Sequence, residues 1–293
     1  MKTAVVCGAA GFVGSHLCDF LLAKKYQVIG LDNFVTGLEK NIAHLKSNPD
    51  FKFYRCDITQ KDQIPAFDKV DEIYNLASPA SPIDFLKIPI FILQTSAYGQ
   101  SHMLELAEKH KARVLFASTS EVYGDPLVHP QVESYLGNVN PIGIRGCYDE
   151  AKRFGEAITM AFNREKNVNT AIIRIFNTYG PRMRPEDGRV IPNFFSQALN
   201  QESLTLYGDG LQTRSLCYVG DMVDGIWTLM QSSLSEPVNI GNPVEMTIKE
   251  LADTVNKITG NTKPHAFRPL PPDDPKQRCP DITRAKEKLK CRQ

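Results

Sequence analysis

No stretch of the 293-residue chain approaches the ~18 consecutive apolar residues that a membrane span needs. Charge of one sign is also missing. The 34 Lys and Arg face 33 Asp and Glu, which argues against an overall electrostatic grip on nucleic acid or an anionic membrane. The seven cysteines, at 7, 18, 56, 147, 217, 279 and 291, include no C-x-x-C pair. An odd set without paired spacing reads as reduced and intracellular, and the missing pairs argue against structural zinc. His102 and His129 have no visible metal partners, so no metal site is assigned. The N-terminus turns glycine-rich with no small-residue cleavage site, which argues against a secretory leader. What is present is 42% hydrophobic residues, enough for a sizeable core. At roughly 100–200 residues per domain, the length suits one large domain, or one plus a subdomain.

Short apolar runs alternate with helix-period segments through the first half. Thr3–Cys7, Gln27–Asp32, Phe51–Asp57, Glu72–Ala77, Arg113–Ser118 and Thr170–Phe176 read as strands, and Gly14–Lys24, Ser96–Lys109 and Asp149–Asn163 as helices. This alternation predicts an α/β fold, a doubly wound parallel sheet with right-handed crossovers. From about Pro181 proline, glycine and charge become denser, with helical segments at Ile191–Leu199, Val219–Gln231 and Ile248–Thr259. Pro264–Pro280 is proline-rich and must be loop or extended chain. The expected organisation is a dinucleotide-binding domain over 1–180. A smaller substrate-binding lid over 181–293 follows, with strands or helices returning to the first domain.

Gly8, Gly11 and Gly14 form G-x-x-G-x-x-G directly after the first strand, with Phe12 and Val13 opening the first helix. Glycine permits the tight turn and a close backbone approach to a pyrophosphate, and the helix N-terminus favours the anion. Strand before and helix after are the context that gives a weak motif weight. Asp32 ends the second strand, where a carboxylate takes both ribose hydroxyls and repels a 2′-phosphate, favouring NAD over NADP. Asn33, Phe34, Thr36 and Gly37 continue that ribose loop. Asp57 and Ile58 close the third strand. Asp57 reads either as an adenine contact or as a strand-end cap. Leu76, Ala77 and Ser78, after the fourth strand, and Thr95 join the cofactor candidates.

Tyr148-Asp149-Glu150-Ala151-Lys152 is Y-x-x-x-K, whose tyrosine and lysine share a helix face. An ammonium beside a phenol lowers the phenol's pKa from about 10, so Tyr148 becomes usable as a base near neutral pH. Ser118, Thr119 and Ser120 end an apolar strand, where open α/β sheets bind ligands.

Together these segments resemble the extended short-chain dehydrogenase/reductase superfamily that acts on nucleotide sugars, over nearly the whole chain. Leu76–Pro82, Ser118–Pro126, Val128–Gln131, Asn140–Gly143, Cys147–Glu150, Arg174–Arg182 and Asp273-Asp274-Pro275 look like the UDP-glucuronate decarboxylases (UDP-xylose synthases). The resemblance implies a Thr119, Tyr148 and Lys152 triad, with Lys152 also holding the nicotinamide ribose. The related 4,6-dehydratases carry Asp-Glu where this chain has Ser120-Glu121. Their aspartate protonates a leaving hydroxyl, which a serine cannot do and a decarboxylation does not need. The implied cycle is redox-neutral. Tyr148 takes the 4-hydroxyl proton as hydride passes to NAD⁺, the β-keto acid loses carbon dioxide, and the hydride returns to C4.

Glu121 is expected to position the ring or a water for the C5 proton. Arg278 matches an arginine that the family places near the sugar; it reads either as a partner of the carboxylate or as a solvated lid residue. Pro79, Asn177, Arg182, Tyr207, Gln212 and Arg214 are further candidates for the UDP-sugar. Asn177 also suits a turn, Tyr207 plain packing, and Arg182 and Arg184 a solvated loop, while Arg145 suits a surface salt bridge. The chain departs from the family at Gln94, where lysine is usual, at Ser96 and His102, where asparagine is usual, and at Ile144, where proline is usual. The family also continues past the equivalent of Lys288-Leu289, so either the sequence is truncated or its lid is shorter. Membrane-anchored relatives carry an N-terminal span; starting at its first strand, this chain is expected to be soluble and cytoplasmic. The family implies a homodimer through a four-helix bundle of the two long helices, which Met103, Leu104, Ala107, Ala157, Met160 and Ala161 permit, as does ordinary core packing. Two rival readings stand beside the decarboxylase: a nucleotide-sugar epimerase or 4,6-dehydratase-like enzyme, and a non-catalytic NAD-binding regulator.

Overall fold

Seven strands pair side by side, all parallel, in a computed structural model that describes residues 1–269 and 277–290. The first half runs β1 (Thr3–Cys7), α1 (Phe12–Ala23), β2 (Gln27–Asp32), β3 (Phe51–Arg55), β4 (Glu72–Asn75), α2 (Pro82–Lys87), α3 (Pro89–Gln94), α4 (Gln100–His110), β5 (Arg113–Thr119), α5 (Gly146–Lys166) and β6 (Thr170–Ile175). Then come β7 (Thr178–Tyr179), α6 (Val190–Leu199), β8 (Thr205–Tyr207), β9 (Thr213–Ser215), β10 (Cys217–Tyr218), α7 (Val219–Gln231), β11 (Pro237–Ile240), β12 (Glu245–Thr247), α8 (Ile248–Thr259), β13 (Ala266–Arg268) and α9 (Thr283–Leu289).

The sheet order is β11-β6-β5-β4-β1-β2-β3. Every residue of β1 is buried, as a strand covered by helices on both faces requires. The chain winds from β1 outward to β3, then crosses back to β4 and winds the other way. The direction therefore reverses between β1 and β4, and a crevice opens there beyond the strand ends.

The strands follow the apolar runs, with two informative departures. The fourth ends at Asn75 because Asn75 Oδ1 takes the Ala77 N–H at 3.2 Å and turns the chain away. The helix expected over 96–109 is interrupted: α3 begins at Pro89, Thr95–Gly99 forms a π-turn, and α4 follows. The next helix runs longer than its apolar period suggested, from Gly146 to Lys166.

In the last third, α7 packs on α1 and β11 extends the sheet beside β6. A separate apolar cluster of Phe194, Leu206, Leu251 and Val255 joins α6, β8 and α8. Within the proline-rich stretch, Ala266–Arg268 pairs in parallel with β8; Asp273-Asp274-Pro275 lies outside the described residues. Met103, Leu104 and Ala107 pack in the core beneath the sheet, which removes them from any interface. Among the described residues no helix is long and apolar enough to cross a membrane.

Candidate active site

The crevice is a cavity of ≈ 590 Å³ running from the first glycine loop to the α6–β8 cluster. Its floor is backbone. Gly8 has φ 77°, a conformation that costs glycine nothing. A Cβ on Gly14 would lie 2.0 Å from the Gly8 carbonyl oxygen, and one on Gly11 would lie 3.0 Å from it. The loop is thus closed on itself so tightly that only hydrogen fits, and the N-terminus of α1 opens onto the cavity.

At the end of β2, Asp32 is buried and taken up by backbone: Oδ2 accepts from Ala10 N–H at 2.9 Å and Oδ1 from Phe34 N–H at 2.8 Å. Burial raises its pKa, and these backbone donors oppose the rise. Gly37 packs against the carboxylate, where a Cβ would come within 2.7 Å of Oδ1. Asn33, Thr36, Gly37, Asp57 and Ile58 line this end of the cavity, with Leu76, Ala77, Ser78 and Thr95 opposite. Asp57 Oδ1 caps its own turn at Thr59 N–H, 2.9 Å. Phe34 is the exception among the candidates. Its ring turns from the cavity onto Phe53, centroids 5.3 Å apart, so only its backbone serves the loop.

The reactive groups stand beyond β5. Thr119 ends the strand, and Tyr148 and Lys152 face it from α5. Lys152 Nζ donates to the Ala117 carbonyl at 2.8 Å and lies 5.7 Å from the centre of the Tyr148 ring. The expected lowering of the phenol pKa is not what the site shows. Burial pushes Tyr148 up, and a hydrogen bond with Thr119 pulls it partly back. Burial also brings Lys152 down to about 7. The ring of Tyr148 stacks on Phe85 of α2, with centroids 5.0 Å apart and planes at 18°.

The far wall is ionic. Arg278 is fully buried and donates to Ser120 Oγ and to the Gly124 carbonyl, each at 3.0 Å, and its Nη1 meets Glu121 Oε1 at 3.0 Å. Arg145 closes on the other Glu121 oxygen. Burial raises the Glu121 pKa, but the two guanidiniums outweigh it and hold the carboxyl below the ordinary range. Arg278 Nε is buried without an acceptor among the described residues. The alternative of a solvated lid arginine is therefore set aside.

Other candidates line the same cavity: Pro79, Asn177, Arg182, Tyr207, Gln212 and Arg214. Arg182 is half-buried and donates to Asp19 Oδ2 on α1 at 2.7 Å. Gln212 Nε2 is committed to the Tyr207 carbonyl at 2.8 Å. Gln94 is exposed on α3 and outside the cavity wall, so its departure from lysine removes no cation there. His102 Nδ1 meets the Ile58 carbonyl at 2.8 Å, bracing the third strand's loop. Sequence reasoning missed Phe85, Phe91 and Arg189. Arg189 is clamped by both oxygens of Asp187 and lies close enough to lower the Tyr148 pKa. The Ser81-Pro82 helix start, which sets Phe85 in place, was a readable signal.

Comparison with known proteins agrees with this geometry. The model of the NAD dependent epimerase/dehydratase family matches residues 4–241. The chain belongs to that family. Within it, the chain is 52% identical to UDP-glucuronic acid decarboxylase 2 of Arabidopsis thaliana, over 97% of this chain and 63% of that protein. It therefore spans under two thirds of that relative's length. Among solved family structures, UDP-glucose 4-epimerase of Thermotoga maritima with UDP-glucose superposes with a TM-score of 0.90 at 30% identity, covering 99% of this chain and 93% of that one. UDP-glucuronic acid 4-epimerase of Bacillus cereus, in complex with UDP-glucuronic acid and NAD, superposes with a TM-score of 0.87 at 28% identity, covering 99% and 94%.

Proposed function

We propose that this chain is an NAD-dependent nucleotide-sugar decarboxylase that converts UDP-glucuronate to UDP-xylose. The observation that carries the reading is the Ser120–Glu121–Arg278 wall. It places a buried guanidinium in the cavity lining beside Ser120 and Glu121, with no acid at position 120. A guanidinium suits a carboxylate on the sugar. An enzyme that expels water from the same carbon needs a proton donor, which Ser120 cannot be.

NAD fits the residues present. The Gly8–Gly14 loop leaves no room for a Cβ, as close approach to a pyrophosphate requires. Asp32 suits the adenosine ribose, and Lys152 the nicotinamide ribose. Bound there, NAD supplies a hydride acceptor and donor, which makes the overall conversion redox-neutral. Tyr148 moves the proton of the sugar 4-hydroxyl, with Thr119 hydrogen-bonded beside it. An occupied site brings positive charge to a phenol that burial otherwise holds protonated. Arg278 receives the C6 carboxylate, and Glu121, kept anionic by its two arginines, orients the ring or a water for protonation at C5. Asn177, Arg182, Arg214, Gln212 and Tyr207 hold the UDP moiety.

On this reading, 1–180 is the cofactor domain and 181–293 mainly the substrate-binding part. A homodimer through a four-helix bundle draws support from exposed apolar side chains on the α3–α5 face, Tyr98 at 57% and Phe154 at 47% exposure, with Ala157 beside them. A reducing, cytoplasmic setting suits the six cysteines that are free among the described residues. The test is incubation with NAD⁺ and UDP-glucuronate, products read by mass spectrometry. A UDP-pentose supports the proposal; an isomer of unchanged mass indicates an epimerase instead.

A further inference from the structure

The Val128–Gln131 run takes no part in the chemistry above, yet Gln131 is fully buried. Its backbone N–H donates to the Cys279 carbonyl at 2.9 Å, and its own carbonyl accepts the Asp281 N–H at 2.9 Å. Its side-chain Oε1 accepts the Cys279 N–H at 3.0 Å, while Nε2 ties back to the Val128 carbonyl at 2.9 Å. One residue therefore satisfies both backbone groups of the residue that follows Arg278. Asn239 reinforces the grip, with Nδ2 donating to the carbonyls of Gln131 and Asp281 at 2.9 and 3.2 Å. Asn239 Oδ1 accepts from Tyr123 at 2.7 Å, and Tyr123 accepts from Arg174 at 2.9 Å. Arg174 forks onto Glu156, which also accepts from Ser118 at 2.6 Å, one residue before Thr119. A continuous buried frame thus joins the end of β5 to the Arg278 backbone.

We propose that Gln131 is the positioning residue for Arg278, setting the guanidinium against Ser120 and Glu121 through the main chain at Cys279. This rests on the role given to Arg278 in the decarboxylase reading. Arginine is long and flexible, and its placement is only as good as the backbone that carries it. A misplacement near 1 Å is enough to lose about two orders of magnitude in rate.

The experiment is a double-mutant cycle of Gln131→Met, which keeps shape and removes both side-chain bonds, with Arg278→Ala. We expect Gln131→Met to lower kcat for UDP-glucuronate by roughly 10- to 100-fold at unchanged NAD affinity. In the Arg278→Ala background it should cost nothing further. Hydrogen exchange of the segment 277–282 should quicken in Gln131→Met. Full retention of kcat, losses that multiply in the double variant, or unaltered exchange would each overturn the proposal. If Gln131→Met is not soluble, Asn239→Asp, which keeps the Tyr123 bond and loses both donations, carries the same readouts. If the wild type leaves UDP-glucuronate untouched, the decarboxylase reading fails, and the exchange result still decides the clamp.

Discussion

The two ends of the cavity are built in opposite ways. The cradle at β1 and β2 is made of backbone: glycines without room for a Cβ, and an aspartate accepting main-chain N–H groups. The wall beyond β5 is made of long charged side chains that meet from distant parts of the chain, Arg278 lying 157 residues from Glu121. A backbone cradle needs no counter-charge and carries little chemistry. An ionic wall holds charge in place where bonds change, and each member is buried at a cost that its partners offset.

That contrast makes separable predictions. The largest effect belongs to the reactive end. Tyr148→Phe should lower turnover by about 10²–10⁴-fold, the usual span of a lost acid–base group, with NAD affinity intact by titration calorimetry. A matching loss of NAD affinity would break the separation. Arg278→Ala leaves Glu121 buried with one cation fewer, a loss of about 3–5 kcal/mol if the charge persists. The Glu121 pKa should rise. In the wild type its stabilising contribution is present above the unfolded carboxyl value and lost as pH falls below it, whereas in the variant protonation relieves the unpaired carboxylate. The stability gap between the two should therefore narrow as pH falls, read by thermal melts across pH 3–6.

At the cradle, Gly14→Ala forces a Cβ onto the Gly8 carbonyl and should cost about 1–3 kcal/mol of stability together with NAD binding, without changing which product forms. Asp32→Ala should weaken NAD by roughly 10- to 100-fold, as for a lost hydrogen bond to a charged group, and narrow the preference over NADP. The sharpest test is Lys152. With its folded pKa brought to about 7 from 10.5 by burial, the ligand-free protein binds fewer protons there than the unfolded chain between those values. Stability should therefore rise with pH over that window, and Lys152→Met should flatten the rise in chemical-denaturation curves.

What was legible in the sequence follows the same division. The cradle is local: strand, three glycines and helix within the first fourteen positions, then Asp32 at the next strand end. The Tyr148–Lys152 pair is local too, one turn of one helix. The residues Ser120, Glu121 and Arg278 could each be picked out, but their meeting depends on Gln131 and Asn239 drawing the late segment to β5, and no spacing encodes that. The π-turn at Thr95–Gly99 breaks the 3.6-residue period that marks a helix, which hid α3 and misplaced the start of α4. Met103 and Leu104 fit an interface pattern as well as a core pattern, because periodicity reports a buried face without saying what covers it. At Phe34, whose φ is 62°, the ring packs on Phe53 and the backbone N–H serves Asp32, and sequence does not display a backbone angle.

The central claim is that the wall of Ser120, Glu121 and Arg278 serves loss of the sugar carboxylate. The most direct measurement follows UDP-glucuronate labelled with carbon-13 at C6 by NMR, in the presence of NAD⁺ and the wild-type protein. The account predicts that the label leaves the nucleotide sugar and appears as carbon dioxide and bicarbonate, and that Arg278→Ala slows its release. Label retained on a nucleotide sugar that is otherwise altered at C4 would contradict it.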